Sequence, residues 1–73
     1  MLTLREKLKQ VRLEENLSAR QVAEDLDTEI SRVYSYEHER ERGGNNPSST
    51  YLIKFCEKYN VSIQWLLEGG IDD

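Results

Sequence analysis

The chain has few of the residues that build disulfide frameworks, metal sites or membrane spans. Its 73 residues include one cysteine, one histidine and one proline. A single cysteine excludes an intramolecular disulfide and provides no zinc-ligand set. No apolar run approaches the roughly 18 residues of a membrane-spanning helix, and the first residues lack the pattern of a signal peptide. We therefore expect no metal, no cofactor, and a reducing, cytoplasmic compartment.

Enzymatic signatures are also missing from the sequence. It contains no GxxxxGK phosphate-binding loop, no Rossmann glycine pattern and no nucleophile elbow. The only histidine, His38, lies beside the charged run over 39–42, which is typical of a solvated helix face and not of a catalytic base. We predict that the protein is not an enzyme and has no catalytic residues.

The charge balance is acidic, with 14 acidic and 10 basic side chains and a net charge of −4. Affinity for nucleic acid without sequence preference comes from neutralised phosphates, so indiscriminate binding is not expected. Specific binding depends instead on where the cations lie. One basic group falls within the first thirteen residues, and a second contains Arg40 and Arg42. Each group taken alone also fits an ordinary solvated helix face.

What the chain does contain is helical periodicity, most informatively over 18–38. Ser18 and Gln21 predict a capping box at the start of helix 2, which runs to about Leu26. Helix 3 then begins near Thr28 or Glu29. Two helices separated by so short a break form a helix-turn-helix, whose second helix can enter a DNA major groove.

The remaining elements follow from caps, breakers and apolar stripes. Thr3 and Glu6 predict a capping box at the start of helix 1, and Ser48 or Ser49 begins helix 4, with Ser62 before helix 5. Because the first strong breaker is the run over 43–47, helix 3 is predicted to continue towards Arg42. The predicted inward-facing residues are Leu4, Leu8, Val11, Val33, Tyr36, Leu52, Phe55, Cys56 and Tyr59. We expect a single domain over 1–73 with a frayed tail at about 70–73.

Together these motifs resemble the lambda-repressor-like helix-turn-helix regulators of the Cro/C1 or Xre family, over about residues 4–69. The resemblance is carried by Leu17-Ser18, Val22, Ala23, Leu26, Val33, Tyr36-Glu37, Asn46-Pro47-Ser48 and the run from Val61 to Gly69. It implies an all-α, compact five-helix fold and a sequence-specific, often dimeric regulator of transcription that binds double-stranded DNA. It also implies an internal ion pair between Arg12 and Glu37.

The resemblance further implies which side chains contact DNA. Helix 3, at about 29–38, would lie in the major groove. The predicted base-reading residues are Ile30, Ser31, Arg32 and Ser35. The predicted phosphate contacts are Ala19, Arg20, Arg40, Arg42, Asn45 and Asn46. Ile30 has an alternative role in core packing, because it lies three residues before Val33.

Several departures from the family pattern lie on this reading surface. Asp27 stands where the family usually has a turn glycine, although aspartate tolerates a left-handed conformation. Glu29 suits a helix N-terminus but repels phosphate, and the loop before Pro47 is long. An alternative prediction is therefore a protein-interaction module on the same fold, with weak or lost DNA binding.

Helix 5 is predicted to have more apolar surface than one core contact uses. The residues concerned are Ile63, Trp65, Leu66 and Leu67. We predict that part of this surface forms a weak homodimer; the alternative is that all four side chains pack within their own domain.

Overall fold

The computed structural model of the protein describes residues 2–38 and 46–68. The sequence predictions also concern Arg40, Arg42, Asn45 and the tail at 70–73, all of which lie outside the described residues. The described part contains α1 (Leu4–Glu14), α2 (Ala19–Asp25), α3 (Ile30–Glu37), α4 (Ser49–Tyr59) and α5 (Ile63–Leu67). No strand occurs within it. The predicted all-α, five-helix fold is confirmed.

Side-chain hydroxyls begin four of these helices. Each accepts a hydrogen bond from the backbone N–H three residues later, and the four caps are Thr3, Ser18, Ser48 and Ser62. At α1 the capping box is complete, because Glu6 Oε1 also accepts from the Thr3 N–H at 2.9 Å. At α2 only half of the predicted box forms, since the Gln21 side chain donates to Asp25 Oδ1 at 2.8 Å. These caps satisfy N–H groups that a helix start would otherwise leave without acceptors.

Left-handed residues end three of the helices. Asn16 (φ 57°), Asp27 (φ 54°) and Asn60 (φ 55°) follow α1, α2 and α4. After α2, the Thr28 N–H donates to Ala23 O at 2.8 Å and the Asp27 N–H to Glu24 O at 3.2 Å. This is the Schellman arrangement, which normally uses glycine. Asn and Asp adopt the conformation more readily than other non-glycine residues, so Asp27 can make a turn for which glycine is the usual residue.

The core lies where all five helices meet. Its buried apolar residues are Leu4, Leu8, Val11, Ala19, Val22, Ala23, Leu26, Val33, Tyr36, Tyr51, Leu52, Phe55 and Leu66. Cys56 and Tyr59 pack against this core but are only partly buried. Tyr36 contacts Tyr51 edge-on with centroids 4.6 Å apart, and Phe55 meets Tyr59 edge-on at 5.0 Å. Such pairs contribute about 0.5–1.5 kcal/mol beyond their burial, and the first of them joins α3 to α4.

The predicted extension of helix 3 towards Arg42 is wrong. The helix ends at Glu37, and His38 is extended at φ −94° and ψ 152°. The Arg5 Nη1 atom of α1 donates to the carbonyl oxygens of Ser35, Tyr36 and His38, at 3.1, 3.4 and 2.7 Å. A cationic side chain therefore takes the carbonyls that a further helical turn would have used.

Candidate nucleic-acid interface

The helix-turn-helix formed by α2 and α3 presents one side of α3 to solvent. Val33 is fully buried and Tyr36 is 6% exposed, so these two side chains anchor the helix in the core. Asp27 turns the chain between the two helices, and Ile30 begins α3. Because the inward stripe is fixed by burial, the residues on the opposite side have no freedom to rotate into the core.

Three of the four predicted base-reading side chains lie on this exposed side. Ile30 is 40% exposed, which contradicts its alternative role as a core residue. Ser31 and Arg32 are exposed, whereas Ser35 is half-buried. An open groove of about 450 Å³ runs along this surface, lined by Glu29, Ser31, Arg32, Ser35, Tyr36 and Asn46. The fold thus brings three predicted base-reading residues together with one predicted phosphate contact.

Glu29 gives the groove a negative charge at the start of α3. It occupies the N-cap position without making a side-chain cap hydrogen bond. The Ser31 hydroxyl donates to Glu29 Oε2 at 3.4 Å, a long hydrogen bond on the surface. The Ser31 hydroxyl would have to leave this carboxylate before donating to another acceptor in the groove.

The predicted phosphate contacts have different outcomes. Arg20 is exposed on α2, and Asn46 is exposed at the start of the segment that leads to α4. Ala19 is a correction for its side chain only: it is 4% exposed and its methyl group belongs to the core, so a phosphate contact at this residue would have to use the backbone N–H. It begins α2 immediately after the Ser18 cap, and its methyl group packs inward with Val22.

Two cations that the sequence analysis left among solvated groups are buried. Arg5 is 5% exposed and Lys7 is 4% exposed. Lys7 Nζ donates to the Trp65 carbonyl at 2.6 Å and lies 5.1 Å from the centre of the Trp65 ring. A helical wheel contains the signal for both, since Arg5 precedes Leu8 by three residues and Lys7 follows Leu4 by three.

Arg12 and Glu37 form the ion pair that the resemblance implies. Arg12 Nε donates to Glu37 Oε2 at 2.8 Å, and Arg12 Nη2 donates to Glu37 Oε1 at 3.0 Å. Arg12 Nη1 donates to the Leu17 carbonyl at 3.0 Å. The hydrogen bond with Glu37 raises the pKa of Arg12 further above its usual value. The pair joins α1 to the last residue of α3 and so helps to fix the position of α3.

A second polar contact joins α2 to α4. The Tyr59 hydroxyl donates to Asp25 Oδ2 at 2.9 Å. Hydrogen bonds from Gln21 and then from Tyr59 lower the pKa of Asp25 below its usual value. Burial and this hydrogen bond together raise the pKa of Tyr59 well above its usual value. Both shifts are consequences of the arrangement in which the tyrosine O–H donates to a carboxylate.

The predicted dimer face on α5 is smaller than the sequence suggested. Leu66 is fully buried in the core, which corrects its assignment to an interface. Trp65 is half-buried and packs against the same core. Ile63 and Leu67 are 41% and 40% exposed, so these two of the four predicted interface residues keep apolar surface that another molecule could contact.

Over residues 2–38 and 46–68, no group of three or more His, Cys, Asp or Glu side chains is placed to hold a metal ion. None of the helices described is long and apolar enough to span a bilayer.

Comparisons with known proteins agree with this architecture. Residues 6–70 match the family described as "Helix-turn-helix domain". Among solved structures, the chain is similar to the N-terminal DNA binding domain of SinR from Bacillus subtilis, with 30% sequence identity and a TM-score of 0.74. The similarity covers 88% of each chain. No curated protein matches the sequence.

Proposed function

The chain belongs to the Xre or Cro/C1 type of helix-turn-helix DNA-binding domains, and on that premise we propose that it is a sequence-specific regulator of transcription. The supporting observation is the outward side of α3, where Ile30, Ser31 and Arg32 are exposed on a helix anchored by Val33. An anchored helix with exposed polar and apolar side chains can present a fixed pattern to base edges.

In this proposal α3 lies in the major groove of double-stranded DNA. Arg32 donates to the O6 and N7 acceptors of a guanine, the pairing that a planar guanidinium makes best. Ile30 contacts the methyl group of a thymine. Ser31 donates to a base edge after leaving Glu29. Ser35 is half-buried, so it would contact only a base pair that approaches the groove closely.

Phosphate contacts orient α3 in this arrangement without reading sequence. Arg20 is exposed on α2, and the α2 N-terminus carries the positive end of the helix dipole. Asn46 lines the groove along α3. Arg40, Arg42 and Asn45 remain further predicted contacts. With few cations near the DNA and a net charge of −4, binding to non-specific sequences should be weak.

A two-fold dimer would extend recognition to two half-sites. One helix-turn-helix reads few base pairs, and paired domains reach half-sites about 34–36 Å apart. Ile63 and Leu67 are the exposed apolar residues of α5 from which such a contact could be built. So small a surface favours a weak dimer that forms mainly when both copies bind DNA.

The decisive experiment is selection of binding sites from a random double-stranded DNA library, followed by affinity measurements over a salt series. We expect one enriched motif, and an affinity for it that falls as salt rises with a slope of about −0.9 per phosphate contact. Scrambled DNA of the same length is the control for sequence preference.

The competing function is a protein-interaction module on the same fold. The observation that favours it is Glu29, whose carboxylate lines the reading groove and opposes phosphate. This function predicts that no motif is enriched even at low salt. It also predicts that Glu29→Gln does not increase DNA affinity, whereas in the DNA-binding proposal this substitution tightens binding to all sequences.

A further inference from the structure

Arg5 connects the end of the reading helix to the residue that begins the next described segment. Its Nη1 atom donates to the carbonyl oxygens of Ser35, Tyr36 and His38. Its Nη2 atom donates to Asn46 Oδ1 at 3.1 Å. Residues 38 and 46 flank the stretch 39–45, so one buried guanidinium holds both of the described residues that border it.

This contact determines which way the Asn46 amide points. A guanidinium has only donors, so the amide atom that faces it must be the oxygen. The amide nitrogen, Asn46 Nδ2, therefore carries its two N–H donors on the side away from Arg5. Asn46 itself is exposed and lines the groove beside Arg32. The Nδ2 side of this amide thus offers only hydrogen-bond donors, which is the chemistry that a phosphate oxygen accepts.

We propose that Arg5 is a positioning residue for DNA binding, which holds Asn46 so that its Nδ2 donates to a backbone phosphate beside α3. This inference rests on the proposed function and adds to it a residue that the base-reading and phosphate-contacting sets do not contain. At 5% exposure, Arg5 does not reach DNA itself. Its effect on DNA affinity passes through the Asn46 amide.

Arginine suits this task and lysine does not. The two terminal nitrogens of Arg5 donate to two separate targets. Nη1 donates to the His38 carbonyl oxygen, and Nη2 donates to the Asn46 amide oxygen. Lysine keeps the charge but ends in one nitrogen and lacks the planar fork. Arg5→Lys should therefore retain a cation near the His38 carbonyl while leaving the Asn46 amide free to turn.

The test is a double-mutant cycle on affinity for the selected DNA site, with Arg5→Lys, Asn46→Ala and the double variant of the full chain. A hydrogen bond to a charged group corresponds to about tenfold or more in affinity, so each single variant should bind about tenfold more weakly. The double variant should be no weaker than Asn46→Ala alone, because Arg5 has nothing left to position. Gln64→Ala, which removes an exposed amide on α5, is the matched control and should bind as the unaltered chain does.

Asn46→Asp separates positioning from stability. The carboxylate still accepts from Arg5 but has no donor for a phosphate. It should melt at or above the temperature of the unaltered chain and yet bind DNA at least as weakly as Asn46→Ala. In the free protein, the side-chain N–H₂ resonances of Asn46 should shift in Arg5→Lys, which keeps the inference testable should that variant melt too low for the binding assay.

The outcomes distinguish the inference from the function on which it rests. If the unaltered chain binds no DNA sequence, both fail. If it binds a specific site but the losses from Arg5→Lys and Asn46→Ala add, Arg5 acts only through the fold, and the inference alone is overturned. Full DNA affinity in Asn46→Asp would overturn it as well, since no donor would then be needed.

Discussion

Arg12 and Glu37 meet through two parallel hydrogen bonds, Nε–Oε2 at 2.8 Å and Nη2–Oε1 at 3.0 Å, across the junction of α1 and α3. Their side chains are 13% and 6% exposed, so little water competes for either charge. Bidentate pairing with this degree of burial constrains the relative orientation of the two helices. The position of α3, the proposed reading helix, therefore depends on a residue of α1 that would itself contact no base.

Loss of one member of this pair should destabilise the protein. Arg12→Ala leaves the Glu37 carboxylate mostly buried without its cation, at a cost of about 3–5 kcal/mol in the fully buried limit. Lys9→Ala is the matched control, because Lys9 is an exposed cation of the same helix. We expect thermal melting to show a clearly lower midpoint for Arg12→Ala than for Lys9→Ala. Equal midpoints would mean that solvent already screens the pair.

Arg32 should carry part of the sequence preference. Arg32→Ala removes an exposed guanidinium from α3 without disturbing the core, so the melting temperature should hardly change. If Arg32 reads a guanine, discrimination between the selected site and scrambled DNA should fall by about 1–3 kcal/mol. Arg20→Ala is the comparison: a phosphate contact should weaken binding to both DNAs equally and reduce the salt slope. Unchanged discrimination in Arg32→Ala would remove it from the base-reading set.

The turn between α2 and α3 should tolerate glycine better than alanine. Asp27 has φ 54°, where a Cβ atom costs roughly 1–2 kcal/mol unless the side chain compensates. Asp27→Ala loses that compensation and keeps the Cβ atom, so it should unfold at lower denaturant than Asp27→Gly. Urea titration of the two variants measures the difference. Equal urea midpoints for the two variants would contradict this expectation and would show that the turn changes its backbone conformation to accommodate alanine.

The Asp25–Tyr59 contact should appear in the titration of Asp25. The Gln21 and Tyr59 hydrogen bonds lower the pKa of Asp25 in the folded protein. The stabilisation is therefore present above the unfolded-state pKa and is lost as the pH falls through the folded-state pKa. Tyr59→Phe should move the pKa of Asp25 upwards, towards its ordinary value, as measured by side-chain NMR. Gln21→Ala should raise it at least as much, because Gln21 makes the larger contribution.

Self-association should depend on the exposed part of α5. Leu67→Lys replaces a side chain that is 40% exposed, so the domain should stay folded while a contact between copies is lost. Ile53→Lys is the control, since Ile53 is 52% exposed on α4 and lies outside the proposed face. Sedimentation over a concentration series, with and without a DNA containing two half-sites, measures both. If the unaltered chain is monomeric in both conditions and binds one copy per DNA, the dimer proposal is wrong.

Local sequence predicted most of the secondary structure because the relevant forces act within one helical turn. A hydroxyl cap bonds to an N–H three residues later, and an apolar stripe repeats every three or four residues. Thr3 and Ser48 therefore predicted helix starts that the structure confirms. Asn16 and Asp27 adopt left-handed turns because their own side chains permit that conformation.

Tertiary structure alone decided the features that depend on distant partners. No residue near Glu37 in the sequence is a helix breaker. The helix α3 ends where Arg5, some thirty residues earlier in the chain, donates hydrogen bonds to the last carbonyl oxygens of α3. The burial of Ala19 and Leu66 likewise depends on which helices pack over them. Local patterns determine that α3 forms and which of its sides faces inward. Packing against α1 determines where it stops, and with it the place of Asn46 beside the reading surface, because a buried guanidinium bonds wherever the fold brings acceptors to it.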